Sequence, residues 1–281
     1  MLIKRKSIEA DANTRTGPAR KKTATLASLK QPTSKPRTPK YAPVTLSEQF
    51  GVRYLHFGTE WVQGAMRISK PDAIELEYAQ QMMAWMLFIE QPTHIGQLGL
   101  GTGALTKFAY RRFPQTRVTA VELNPSVVAI CSSMFKLPPN DARLNVIEMD
   151  ALEFVMNSDN HCTIDALQVD LYDATARGPV LDTAEFYQAC SNCLTEHGIM
   201  TVNLFGDHPS YAKNLSAMHY AFDTVISLPE VHDGNVIAIA FNTPPNLDIP
   251  ALYERARQIT EQTKMPAKSW VNGIKAWLAQ Q

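Results

Sequence analysis

Five residues, Gly99-Leu100-Gly101-Thr102-Gly103, constrain this chain more than any other segment. They lie between Ile95-Gly96-Gln97-Leu98, which reads as a strand, and Ala104 to Arg112, which reads as a helix. Glycines at such a turn remove the Cβ atoms that would hold a ligand off the backbone, and they leave the helix N-terminus open toward it. Taken alone, the loop is also compatible with a tight turn that binds nothing. Glu122 strengthens the ligand reading because it ends the next strand, Val118-Thr119-Ala120-Val121, at 21 positions after Gly101. A carboxylate there can accept hydrogen bonds from ribose hydroxyls, whereas a lone glutamate at a strand end is otherwise a solvated loop residue. The pattern therefore predicts a nucleoside-binding strand–turn–helix–strand unit.

Strands and helices alternate from this point, which marks a mostly parallel sheet covered by helices on both faces. Strands are expected at 144–147, 164–169 and 199–204, with helices at 125–135, 151–156, 183–194 and 211–222. Two further strands, 224–228 and 235–241, are joined by His232-Asp233-Gly234 with no helix between them, so an antiparallel hairpin should close one edge. Ahead of the loop, Arg53–Phe57 and Trp61–Ile68 read as a small β hairpin. From Pro71, Ile74, Tyr78, Met82, Trp85, Met86 and Ile89 recur at helical spacing, with Asp72 as an N-terminal carboxylate. The last stretch, 249–281, is helical at two places and should cover the body or a partner subunit. No internal repeat is present.

At 281 residues and 45% hydrophobic content the chain can bury one large core. Lysine plus arginine equal aspartate plus glutamate at 27 each, but the charges are segregated. Residues 1–40 carry eleven basic side chains against two acidic ones, which leaves sixteen against twenty-five in the remainder. The segment's Ser, Thr, Pro and Ala show no periodicity, so it is expected to be a disordered basic tail. A solvated extension is preferred over an arm that touches RNA, an anionic membrane or the protein's own acidic body. No secretory signal or membrane-length apolar run is visible, so the expectation is a cytoplasmic protein with no membrane partner.

The four cysteines are too few for a disulfide framework. Cys190-Ser-Asn-Cys193 matches C-x-x-C, but it falls inside a helical pattern with Phe186, Tyr187 and Leu194, which favours a helix core over metal or redox chemistry. The seven histidines are dispersed, and no metal is expected. Asp150, between the third strand and Ala151, lies where a ligand in an α/β crevice binds, and adenine recognition and a helix N-cap are compatible roles for it. Asp170 and Asp173 follow the fourth strand. Asp-x-x-Asp there is either a loop cap or a pair of carboxylates for chemistry.

In order and spacing, Gly99 to Gly103, Val121-Glu122-Leu123-Asn124-Pro125, Met149-Asp150-Ala151, Val169-Asp170-Leu171-Tyr172-Asp173 and Glu185-Phe186-Tyr187 resemble the spermidine synthase (polyamine aminopropyltransferase) family, in its bacterial spermidine synthase-like branch. The similarity runs from about Tyr54 to Phe241. It implies a Rossmann-like α/β methyltransferase fold with a seven-stranded sheet and a small β-rich N-terminal region. It also implies decarboxylated S-adenosylmethionine as group donor, a small-molecule amine as acceptor, and frequently a homodimer. The implied division is a tail at 1–45, a β region at 46–70, a catalytic domain at 71–245 and C-terminal helices at 246–281. Residue by residue, Asp170 matches the catalytic carboxylate, Asp173 the carboxylate that helps hold the amine, and Gln63 the glutamine near the donor. Gly99, Gly101, Thr102, Gly103, Glu122, Asp150 and Ala151 match the nucleoside site.

An amine attacks the carbon beside a sulfonium only after losing a proton, and both partners arrive positively charged. Carboxylates at Asp170 and Asp173 would offset that repulsion and accept the proton. Thr102 stands where the family carries an acidic residue that faces the donor's ammonium, and a neutral side chain would tolerate intact S-adenosylmethionine better. Tyr78-Ala79-Gln80-Gln81-Met82 is one residue longer than the family's acceptor segment, and Ala174 replaces a proline after Asp173. The alternatives to aminopropyl transfer are a small-molecule methyltransferase using S-adenosylmethionine and a non-catalytic relative that keeps the fold.

Overall fold

The computed structural model describes residues 41–172, 179–231 and 234–281. The basic tail up to Lys40, Asp173 and the turn residues His232 and Asp233 lie outside the described residues.

The N-terminal region is a three-stranded antiparallel sheet of β1 (Val44–Gln49), β2 (Val52–Phe57) and β3 (Gly64–Arg67). β1 was not anticipated, because its half-exposed residues carry no clean apolar alternation. β3 starts three residues later than the hairpin partner expected from Trp61.

A single helix from Pro71 is not what forms. A one-turn α1 (Glu77–Gln81) leads into a 3₁₀ stretch, Met82–Leu87, in which all six residues are buried. Asp72 does not open a helix, since the N-cap of α1 is Leu76. The reason lies in the packing. Six consecutive buried side chains have no solvent face, so contacts with the sheet and the C-terminal helices override the 3.6-residue repeat that Ile74 to Ile89 suggest.

The main body follows the alternating pattern: β4 (His94–Leu98), α2 (Ala104–Arg112), β5 (Arg117–Glu122), α3 (Pro125–Met134), β6 (Leu144–Glu148), α4 (Ala151–Met156) and β7 (Ile164–Val169). It continues with α5 (Ala184–Cys193), β8 (Leu194–Phe205), α6 (Ser210–Ala221), β9 (Thr224–Ser227), β10 (Asn235–Phe241), α7 (Ile249–Thr263) and α8 (Ala267–Leu278). Starts are fixed by side chains that accept helix N–H groups: Asn124 from Ser126, Asp150 from Leu152, and Thr183 from Phe186. β8 begins five residues before the expected Ile199.

The sheet order is β6-β5-β4-β7-β8-β10-β9. β4 to β8 run parallel, and β10 is antiparallel to both its neighbours, β8 and β9. This is the mostly parallel seven-stranded sheet that the resemblance implied, closed by the antiparallel hairpin that the two adjacent strands at 224–228 and 235–241 predict. The strand order reverses between β4 and β7, and such a switch point opens a crevice at the strands' C-terminal ends.

One face of the sheet carries Ile95, Val118, Ala166, Ile199 and Ile237 against the 3₁₀ stretch, α7 and α8. The other carries Leu98, Val121, Val169, Met200 and Val202 against α4, α5 and α6. The C-terminal helices cover the body, with Trp270, Val271 and Ile274 fully inside. Cys190 and Cys193 lie in the second core, and burial pushes both thiols above their ordinary range. Phe186 and Tyr187 pack edge to face there too, so this part of the Glu185-Phe186-Tyr187 segment holds α5 in place.

Candidate functional site

At the switch point between β4 and β7 the two strand ends are drawn together. Asp170 N–H donates to Leu98 O at 2.9 Å, which draws the residue after β7 against the loop after β4. Gly99 has φ +88, and a Cβ there would stand 2.2 Å from the Asp170 carbonyl oxygen. Only glycine fits that position. The first glycine of the loop thus permits the approach of the chain that carries Asp170.

Above this junction opens a cavity of about 660 Å³, lined by the strand ends and by the N-terminal sheet. The loop between β2 and β3 supplies Gln63, β5 supplies Glu122, α4 brings Asp150 and Ala151, and Asp170 lies at the floor. Gly99 and Gly101 line it as well. Seven of the residues singled out from the sequence therefore share one wall-to-wall space. Thr102 and Gly103 do not line it. Thr102 is buried against Gly64, with its hydroxyl 3.4 Å from Ala65 O, and borders a side recess of about 20 Å³ that Gln63, Tyr78 and Asp170 also touch. Gly103 opens α2 as its N-cap.

Glu122 is held rigidly. Its Oε2 accepts from Leu100 N–H at 2.9 Å and its Oε1 from Asn124 N–H at 2.9 Å, so the carboxylate fastens the glycine loop to the end of β5. Burial raises its pKa, and the backbone donors pull it back down. Asp150 caps α4 through Leu152 N–H at 2.8 Å, the N-cap role read from the sequence, and it also lines the cavity.

Asp170 keeps part of its surface open to the cavity. Its Oδ1 accepts from Asn203 Nδ2 at 2.9 Å, and its Oδ2 stands 3.4 Å from the Tyr78 hydroxyl. Burial raises the Asp170 pKa, and these two donors oppose the rise. The Tyr78 phenol is pushed well above its usual value by burial first and then by the adjacent carboxylate. Asn203 and Asn235 were missed in the sequence. Their signal was an amide inside a mostly apolar strand, Ile199 to Leu204, and an asparagine at the start of the closing one.

Six carboxylates line the cavity, Glu60, Glu75, Glu77, Glu122, Asp150 and Asp170, and no Lys, Arg or His does so among the described residues. Glu75 is paired with Arg67 outside it. Apolar Leu123, Met149, Leu171, Val180 and Leu181 line it as well. Such a space suits a ligand with a flat apolar part and more than one positive charge. No group of three or more metal-ligating side chains occurs among the described residues, and no helix among them is long and apolar enough to cross a membrane.

The strand order and the glycine-lined, acidic crevice at its switch point define a Rossmann-like α/β protein of the methyltransferase class. Among solved structures the chain is similar to the probable spermidine synthase of Corynebacterium glutamicum, with TM-score 0.65, 17% identity, and coverage of 87% of this chain and 95% of that one. It is also similar to human methyltransferase-like protein 13 in complex with SAH, with TM-score 0.59, 22% identity, and coverage of 68% and 94%. Residues 86–222 match the spermine/spermidine synthase domain. The polyamine aminopropyltransferase of Neisseria meningitidis is 32% identical over 239 residues, which is 84% of this chain and 90% of that protein. The chain belongs to the spermine/spermidine synthase family.

Proposed function

We propose that this protein is an aminopropyltransferase of polyamine biosynthesis, which moves an aminopropyl group from decarboxylated S-adenosylmethionine to an amine acceptor with Asp170 as base. The observation that carries the reading is a cavity with six carboxylates and no cationic side chain among its described lining residues, at whose floor Asp170 is held by Asn203 and Tyr78. Both substrates of such a transfer are cations, and an acidic cavity lowers the cost of bringing them together. Homology to the Neisseria enzyme over nine tenths of its length supports the same reading.

In this mechanism Glu122 accepts from the ribose hydroxyls, and Asp150 with the Ala151 N–H meets the adenine edge between Leu123 and Leu171. Gln63 lies beside the donor's chain. The acceptor ammonium docks beside Asp170 and loses a proton to Oδ2. The freed nitrogen lone pair attacks the methylene next to sulfur, the C–N bond forms, and the C–S bond pair stays on sulfur as a neutral thioether. Asp173, outside the described residues, keeps its proposed part in holding the amine. Thr102 bears on the donor from the side recess, where it offers no charge. The wider reading is a cytoplasmic homodimer divided into tail, β region, catalytic domain and C-terminal helices as given above.

The test pairs Asp170→Asn with wild type, using putrescine and either decarboxylated or intact S-adenosylmethionine as donor. Wild type should form spermidine from the decarboxylated donor only, and the variant should lose about 10²- to 10⁴-fold in turnover. Methyl transfer from the intact donor, or full activity of the variant, would overturn the assignment.

A further inference from the structure

We propose that Asn203 and Asn235 are positioning residues for Asp170, forming a two-amide relay that holds Oδ1 and so turns Oδ2, which the Tyr78 hydroxyl meets at 3.4 Å, toward the proton. The proposal rests on the reading of Asp170 as the base.

The polarity of the relay is set by chemistry. A carboxylate only accepts, so Asn203 must turn its Nδ2 toward Asp170 Oδ1, at 2.9 Å. Its own Oδ1 then points the other way and needs a donor. Asn235 Nδ2 meets it at 2.9 Å. Asn203 is 2% exposed, and a buried amide is costly unless both of its ends are satisfied. The Tyr172 hydroxyl donates to Asn203 O at 3.3 Å, which ties the relay to the segment that follows Asp170.

The sheet makes this possible. β10 is antiparallel to β8, with Ile237 opposite Asn203 and Asn235 opposite Phe205, so residues 203 and 235 stand diagonally across the pair. β7 lies on the other side of β8, with Val169 opposite Val202. Three adjacent strands thus deliver Asp170, Asn203 and Asn235 in line at one edge.

The titratable groups that face Asp170 are Tyr78 from α1 and Tyr172 just beyond β7, and burial raises both phenols so that they stay neutral in the working range. Glu60, Glu75, Glu77, Glu122 and Asp150 line the same cavity. The two amides do not titrate, so the relay cannot take up the proton, and the change of charge remains on Asp170. A donor bonded to a carboxylate favours its charged form. Without Asn203 the Asp170 pKa rises, and a larger share of the base is protonated at any given pH.

Asn203→Ala should therefore move the acid limb of the kcat/KM profile to higher pH and lower its plateau by about ten- to a hundred-fold, the range expected for a hydrogen bond to a charged group. Asn235→Ala leaves the direct contact in place and should move the limb in the same direction, with a plateau loss of about two- to tenfold. Asn235→Gln keeps an amide donor and should return the limb toward its wild-type position. The ¹³C shift of the Asp170 carboxyl, followed against pH in the same variants, reads the pKa without turnover. Either alanine variant that melts earlier yet leaves both the limb and the carboxyl titration at wild-type pH would reduce the relay to a structural contact and refute it. If Asp170→Asn keeps wild-type turnover, the base reading fails instead; if Asp170→Asn is inactive while the asparagine variants leave the limb in place, only the relay fails.

Discussion

Replacing Gly99 by alanine perturbs the junction on which the site depends, and the structure allows the cost to be separated into two parts. Gly99 has φ +88, a region that costs an L-residue roughly 1–2 kcal/mol. The new Cβ would also stand 2.2 Å from the Asp170 carbonyl oxygen and 3.0 Å from its carbon. Relief requires a displacement of roughly 1 Å, and the carbonyl cannot yield freely because Asp170 N–H is bonded to Leu98 O and its side chain to Asn203. Overpacking of this kind adds about 1–3 kcal/mol, for a total of about 2–5 kcal/mol. Gly51 supplies the control. It has φ +74, and a Cβ added there would meet nothing within 4 Å, so Gly51→Ala carries only the backbone part. Urea unfolding of both variants, with midpoints compared at unchanged slope, isolates the clash as the difference. Gly99→Ala should also lose about 10²-fold in kcat/KM, since a base displaced by roughly 1 Å no longer meets the amine. Equal destabilisation of the two variants, or full turnover in Gly99→Ala, would show that the close approach of these strand ends is not what positions Asp170.

Two other perturbations test the surroundings. Glu122→Ala leaves the Leu100 and Asn124 N–H groups without their acceptor, which should cost about 2 kcal/mol or more in unfolding free energy and weaken donor binding at least tenfold by calorimetric titration; unchanged affinity would take Glu122 out of the ribose role. His94 is buried between Thr119, Thr163 and Arg117, and burial first, then Arg117, lowers its pKa from 6.5 to about 4. Unfolded chains then bind a proton that the folded protein refuses, so stability should fall as pH drops from 6.5 through about 4, by about 1.4 kcal/mol per unit and up to about 3 kcal/mol in total. His94→Gln should flatten that part of the urea-midpoint profile, and a slope identical to wild type would assign it to other groups.

Much of the fold was legible because local rules act within a turn or two. α2, α4, β7 and β10 fall on the residues expected, each bounded by a glycine, a capping side chain or a change of apolar period. The long helix expected from Pro71 did not form, because Met82–Leu87 pack on every side, and a sequence shows apolar spacing without showing how many neighbours will press on it. Thr102 is similar: its place in the loop was plain, but its burial against Gly64 depends on where β3 docks.

The sequence by itself determined the strand–glycine–helix unit, the carboxylates at the strand ends and the family to which they point. Turn conformation, helix caps and strand alternation each depend on residues a few positions apart, so they can be read in one dimension. Tertiary structure alone decided that Asp170 would be pressed against Gly99 and held by Asn203 and, behind it, Asn235. Those residues are 71, 33 and 65 positions from Asp170. They meet only because burial of the whole sheet sets the order β4-β7-β8-β10 and the antiparallel register of its last pair.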